Sequence, residues 1–279
     1  MNLSGRTRLL GVIGHPVGHT LSPKMHNATF AASGLDYVYV PMNVRPEGLP
    51  PAVSGLRALG FRGFNVTMPH KEAILPLLDE LEEAASVTGA VNTVVAEEGG
   101  LRGTNTDGSG FVEACEESGI GFEEARVLVV GAGGAAAAIA VGVLGEGARE
   151  LRILNRSQWR AEKLRDRLWV AYPGTGISVH DASDSQGAAR GTDVIVNATY
   201  LGMKNEDPLP VPVSCLGRNT AVCDAVYTPG GETRFIRLAK ERGLRAVPGR
   251  WMLLYQGVQA QRIWTGKEPD VRAMSDALS

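Results

Sequence analysis

Ala125-Arg126-Val127-Leu128-Val129-Val130-Gly131-Ala132-Gly133-Gly134-Ala135-Ala136 sets an apolar run directly before a glycine turn and a helix of small residues. A run without polar alternation is what a strand buried on both faces requires, and such strands belong to parallel sheets covered by helices. Glycines in the turn let the backbone approach a pyrophosphate whose charge faces the helix N-terminus. Ala136 stands where a third glycine is usual, and it is small enough to keep helix and strand close. Gly131, Ala132, Gly133, Gly134 and Ala135 are read as the cradle of a dinucleotide.

The strand after this helix, Leu151-Arg152-Ile153-Leu154, runs into Asn155-Arg156-Ser157, with Arg160 one helical turn on. An acid there would accept hydrogen bonds from a ribose, whereas a guanidinium offers paired donors to a 2′-phosphate. Asn155, Arg156, Ser157 and Arg160 therefore favour NADP over NAD. Two further strands, Asp193 to Val196 and Ala221 to Ala225, end in Asn197-Ala198-Thr199, then Leu201-Gly202-Met203, and in Val226-Tyr227. Asn197, Ala198, Thr199, Met203, Val226 and Gly249 are assigned to the cofactor; for Asn197 and Thr199 alone, capping of a strand end is the competing reading.

Upstream lie four strand-like runs, Arg8 to Gly14, Tyr37 to Pro41, Gly60 to Val66 and Val91 to Val95, with helical segments between. That alternation predicts an α/β fold with two units: an N-terminal, mostly parallel substrate domain and a doubly wound Rossmann-type NADP domain, separated by a cleft. The bounds are set at 1–107 for the first, 108–248 for the second, and 249–279 for a helical segment packing back on the first. With 279 residues and 44% hydrophobic composition, the chain has material for two cores. A formal net charge of −2 gives no basic field and argues against nucleic acid or an anionic membrane as partner. Cys115, Cys215 and Cys223 have neither ligand nor disulfide spacing, and no secretory or membrane segment is read, which points to the cytoplasm. The five histidines form no metal pattern, so no metal is expected.

The polar loops of the first unit carry the chemistry. Asn65-Val66-Thr67-Met68-Pro69-His70-Lys71 ends a strand on a lysine, and Asn105-Thr106-Asp107-Gly108 supplies an aspartate, together a proton-handling pair. Thr20 and Ser22 place two hydroxyls before a helix beginning at Pro23, although Ser22 is also a plain N-cap. With Asn65, Thr67 and Asn92, these neutral donors and one cation suit a hydroxylated carboxylic acid.

Taken in order, these motifs resemble the shikimate dehydrogenase family along nearly the whole chain. The resemblance implies reversible, NADPH-dependent reduction of 3-dehydroshikimate to shikimate in aromatic amino-acid (chorismate) biosynthesis. It implies Lys71 and Asp107 as the catalytic pair, Thr20 and Ser22 on the substrate carboxylate, Thr67, Asn92 and Gln256 on the substrate, and Tyr227 near the carboxylate. It also implies a monomer or homodimer with a small-molecule substrate as its partner. Thr20 stands where shikimate-selective members usually carry serine, so oxidation of quinate or an aminoshikimate is the alternative activity, and a silent NADPH binder the alternative of another class.

Overall fold

The computed structural model describes residues 3–204, 206–228 and 231–278. The first elements in chain order are β1 (Arg8–Gly14), α1 (Ser22–Ala32), β2 (Tyr37–Asn43), α2 (Leu49–Ala58), β3 (Gly63–Val66) and α3 (His70–Ala73). They are followed by β4 (Glu80–Leu81), α4 (Glu83–Thr88), β5 (Thr93–Glu97) and β6 (Gly100–Thr104). Next come α5 (Asp107–Glu116), β7 (Arg126–Val130), α6 (Gly134–Gly145), β8 (Glu150–Asn155), α7 (Gln158–Ala171), β9 (Gly176–Asp181) and α8 (Ser185–Ala189). The chain closes with β10 (Val194–Asn197), β11 (Ala221–Asp224), α9 (Arg234–Glu241), β12 (Ala246–Val247), α10 (Gly249–Thr265) and α11 (Val271–Asp276). Contacts divide it into one unit of Met1–Thr106 with Gln256–Ser279 and another of Asp107–Tyr255. The return to the first unit thus falls at Gln256, inside α10, and not at the Pro248-Gly249 break.

In the first unit the sheet runs β2-β1-β3-β5-β6-β4. β1 is parallel to β2 and β3, β4 is parallel to β6, and β5 is antiparallel to both its neighbours. Alternating side chains feed two cores: Ile13, Phe64 and Val94 join Leu49, Val53 and Ile74, while Leu10, Val12 and Tyr39 join Phe30 and Trp264. Trp264 donates its indole N–H to the Val94 carbonyl at 2.9 Å. A Cβ on Gly63 would come within 2.4 Å of that nitrogen, so glycine is what lets the indole reach the strand.

In the second unit all strands are parallel, ordered β12-β11-β10-β7-β8-β9. This is the doubly wound order, whose reversal lies between β7 and β10. The small residues of α6 serve a close crossing with α5. A Cβ on Gly108 would sit 2.4 Å from the Ala138 carbonyl oxygen, and one on Gly142 would sit 2.8 Å from that of Gly108. Cys115 and Cys223 are buried here with their sulfurs 3.7 Å apart, packed as small apolar side chains.

Among the described residues no helix is long and apolar enough to cross a membrane, and no cluster of His, Cys, Asp or Glu is placed to hold a metal.

Candidate active site

One end of the first sheet gathers the polar loops, and the register shows why. Ile13 pairs with Val66, Asn65 with Thr93, and Thr93 with Thr104, so the ends of β1, β3 and β6 and the start of β5 lie at the same edge. Backbone bonds then fix the loops to one another. Thr67 N–H donates to Ile13 O at 2.9 Å, His15 N–H to Met68 O at 2.9 Å, and Val91 N–H to Lys71 O at 2.8 Å. A Cβ on Gly14 would lie 2.3 Å from Thr67 Cγ2, so the glycine ending β1 gives Thr67 its place. Lys71, half-buried in the single turn of α3, accepts a neighbour's N–H on its carbonyl, which fixes the backbone that carries its side chain.

Asn92 is buried, and its side-chain carbonyl accepts from Thr106 N–H at 2.8 Å and from the Thr93 hydroxyl at 2.9 Å, while its Nδ2 donates to Thr106 Oγ1 at 3.0 Å. Thr106 Oγ1 also lies 3.1 Å from the Gln256 carbonyl, tying α10 to this edge. Asp107 follows Thr106 directly, opens α5 and is buried. Ser22 does not cap α1: it is the first helical residue, Leu21 precedes it as the cap, and the Thr20 hydroxyl reaches Ser22 Oγ at 3.3 Å. The first unit thereby brings Thr20, Ser22, Thr67, Lys71, Asn92 and Gln256 to its loop edge. Asn65 differs from the sequence reading. Its Nδ2 donates to Asn92 O at 3.0 Å and Thr93 Oγ1 at 3.0 Å, and its carbonyl accepts from the Tyr39 hydroxyl at 2.6 Å, so all its bonds stay inside the protein.

In the second unit, register places Val130 beside both Leu154 and Asn197, and Asn197 beside Asp224. The loops following those strands share one end. Gly131, with φ of 121°, packs where a Cβ would be 2.8 Å from Ala198 O, so the loops after β7 and β10 adjoin at the point of strand reversal. Gly133 is different: a Cβ there would meet nothing within 4 Å, and no side chain caps α6. Open space before an uncapped N-terminus of a 12-residue helix fits a pyrophosphate. At the end of β8, Asn155 Nδ2 donates to Ser157 O at 2.8 Å and shapes the turn that exposes Arg156. Arg160 lies over the Trp159 ring, 5.4 Å from its centroid. Gly249 packs against Val226, where a Cβ would approach the Val226 carbonyl oxygen to 2.3 Å. Met203 is exposed, and burial pushes the Tyr227 phenol up.

Asn197 turns inward, donating to Leu201 O at 2.8 Å and Asp224 Oδ1 at 3.0 Å, and accepting from the Thr199 hydroxyl at 2.7 Å. Asp224, which no motif singled out, also accepts from Val226 N–H at 2.8 Å and the Thr233 hydroxyl at 2.7 Å. An acid closing an apolar strand was the available signal. Burial pushes its carboxyl up to about 7, against the opposing pull of those three donors. Below the unfolded value of 3.8 the group imposes no penalty, and the native state loses stability as pH rises from there through about 7. Asp224→Asn should flatten that part of the profile, removing a slope of at most ~1.4 kcal/mol per pH unit between about pH 5 and 7. Denaturant unfolding across that range checks it; parallel profiles for the two proteins would rule it out.

Three families match along the chain: the shikimate dehydrogenase substrate binding domain over residues 12–94, shikimate / quinate 5-dehydrogenase over 113–203, and the shikimate 5′-dehydrogenase C-terminal domain over 249–278. A shikimate dehydrogenase (NADP(+)) of Rubrobacter xylanophilus is 59% identical over 278 residues, covering 99% of this chain and 97% of that protein. The chain belongs to the shikimate dehydrogenase family. It is accordingly an oxidoreductase of the kind that acts on a CH–OH group with NADP. Among solved structures, the Thermus thermophilus shikimate 5-dehydrogenase in complex with NADP(H) and shikimate has a TM-score of 0.87 at 37% identity, covering 97% of this chain and 98% of that one. The quinate dehydrogenase of Corynebacterium glutamicum in complex with NAD has a TM-score of 0.90 at 36% identity, covering 97% and 98%.

Proposed function

We propose that the chain interconverts shikimate and 3-dehydroshikimate, with Lys71 and Asp107 as the catalytic residues. The observation that carries this is the loop edge of the first sheet, where backbone bonds from Ile13, Val91 and Thr104 fasten the segments bearing Thr67, Lys71 and Asn92. Thr20 and Ser22 take the carboxylate, and Thr67, Asn92 and Gln256 hold the remainder of the substrate. In the second unit, Gly131 to Ala135 cradle the pyrophosphate, Asn155, Arg156, Ser157 and Arg160 take the 2′-phosphate side, and Ala198, Val226 and Gly249 supply backbone around the nicotinamide, with Met203 beside it. Asn197 and Thr199 serve by shaping their loop. Bound NADP(H) supplies the hydride donor or acceptor.

As the ring carbonyl is reduced, negative charge grows on its oxygen and a proton must reach it. An ammonium at Lys71 stabilises that charge, and Asp107 orients the lysine and the reacting hydroxyl. The enzyme works in the cytoplasm, as a monomer or homodimer. Quinate oxidation is the second reading, favoured by the Thr20 methyl at the carboxylate end.

Absorbance of the reduced nicotinamide decides between them. Purified protein with shikimate or quinate, each with NADP⁺ or NAD⁺, should turn over at least tenfold better with shikimate and NADP⁺ than in any other pairing. Preferred quinate oxidation would establish the second reading, and silence in all four pairings would remove the enzymatic one.

A further inference from the structure

Two tryptophans of α7 each carry an arginine guanidinium on the indole. Arg160 Cζ lies over the Trp159 ring at 5.4 Å from the centroid, and Arg165 Cζ over the Trp169 ring at 5.1 Å. Trp159 is 61% exposed, so packing of a core does not account for an indole there. The two stacks differ in what the edge of the guanidinium does. The group is planar: its faces stack, while its N–H donors point outward in the plane, so stacking and hydrogen bonding use different parts of it. Arg165 does both at once, with Nε and Nη2 donating to Asp166 Oδ1 at 2.9 and 2.8 Å. Arg160 has the stack without the acid. Among the described residues no carboxylate pairs with it, and Glu162, two residues on, is engaged by Gln158 Nε2 at 3.2 Å. Arg160 also stands in the opening turn of α7, whose N-terminus has no side-chain cap and no acid in its first turn. Nothing there cancels the positive end of the helix.

We propose that Trp159 is a positioning residue that holds the Arg160 guanidinium by one face, presents its edge to the 2′-phosphate of the cofactor, and so sharpens the preference for NADP over NAD. The proposal rests on the reading of Arg160 as a ligand of that phosphate. An exposed arginine without support gives up rotamer freedom when it meets an anion, which weakens the contact. One already stacked has lost that freedom before the anion arrives. An acid in place of the indole would orient the group as well, but it would occupy the donors and cancel the charge. Adenine, ribose and pyrophosphate are common to both nucleotides, so an effect that runs through Arg160 appears with the 2′-phosphate and vanishes without it.

Calorimetry with adenosine 2′,5′-bisphosphate and the full chain tests this apart from turnover. Trp159→Ala should weaken binding of the bisphosphate by about three- to fivefold, the worth of one exposed cation–π contact. The KM for NAD⁺ should stay within about 1.5-fold, and Tm within about 2 °C, as for other surface substitutions. Trp159→Phe keeps an aromatic face and should recover most of the affinity, whereas Trp159→Leu keeps apolar bulk without one and should not. In an Arg160→Ala background, Trp159→Ala should have no further effect. Unchanged bisphosphate affinity in Trp159→Ala beside weakened affinity in Arg160→Ala defeats this inference alone; unchanged affinity in Arg160→Ala defeats the phosphate role of Arg160 beneath it. Equal losses for NADP⁺ and NAD⁺ would make the indole a platform for the adenosine that both share and would overturn the proposal. Full affinity in Trp159→Leu, or a loss that persists without Arg160, would overturn it as well.

Discussion

Lys71→Ala should reduce kcat for shikimate oxidation by about 10³-fold, combining the loss of a proton-transfer group with the loss of a charge aimed at the developing alkoxide. Its backbone carbonyl accepts from Val91 N–H, and alanine keeps that bond and the helical turn of α3. The neighbouring contacts of the loop edge, from Thr67 to Ile13 and from Asn92 to Thr106, do not use the lysine side chain. NADPH binding, a property of the second unit, should remain within twofold of the unmutated enzyme when followed by nucleotide fluorescence. Turnover retained to within about tenfold would remove Lys71 from the chemistry, because neither a binding contact nor a solvated surface charge carries a loss of that size.

The parts of this molecule that could be read before folding are those whose physics is local. β7, its glycine turn and α6 are legible because a doubly buried strand must be apolar and a crossing helix must be small. The same holds for β8, β10 and β11. β6 was not legible, since Gly100-Leu101-Arg102-Gly103-Thr104 has two glycines in five residues and depends on pairing with β5 for its conformation. β9 is an edge strand with only Ile177 buried, so neither alternation nor an apolar run marks it. Its end and the short α8 fall in the stretch from Asp181 to Gly187 that reads as a polar loop. β4 and β12, two residues each, lie below any periodic signal.

The site divides along the same line. Motif spacing brought out Thr67, Lys71 and Asn92, because each sits in a turn whose residue types are restricted. It could not say where an amide points. Asn65 and Asn197 read as donors toward a ligand, and both turn their polar atoms into the protein, a choice made by partners such as Tyr39 and Asp224 that are distant in sequence.

The second large effect is expected in cofactor preference, which the proposed reading assigns to one exposed side chain, Arg156. Arg156→Ala should raise the KM for NADP⁺ by roughly 30-fold while moving the KM for NAD⁺ by less than twofold, since hydrogen bonds to a charged group are worth about 1.5–3 kcal/mol. The turn that presents it is built without it: Asn155 Nδ2 on Ser157 O sets the backbone, so alanine removes the guanidinium and little else. Arg160 remains, held over the Trp159 ring 5.4 Å from its centroid, and on the proposed reading supplies part of the positive field. Loss in the single variant should therefore be incomplete, and Arg160→Ala added to it should deepen the loss for NADP⁺ alone. Lysine at 156 should recover only a fraction, because a point charge lacks the planar pair of donors that a phosphate takes from arginine. Steady-state rates with both nucleotides at saturating shikimate measure all of this. Equal losses for NADP⁺ and NAD⁺ would place Arg156 on a part of the cofactor common to both, and the 2′-phosphate would then have to be read elsewhere in the second unit.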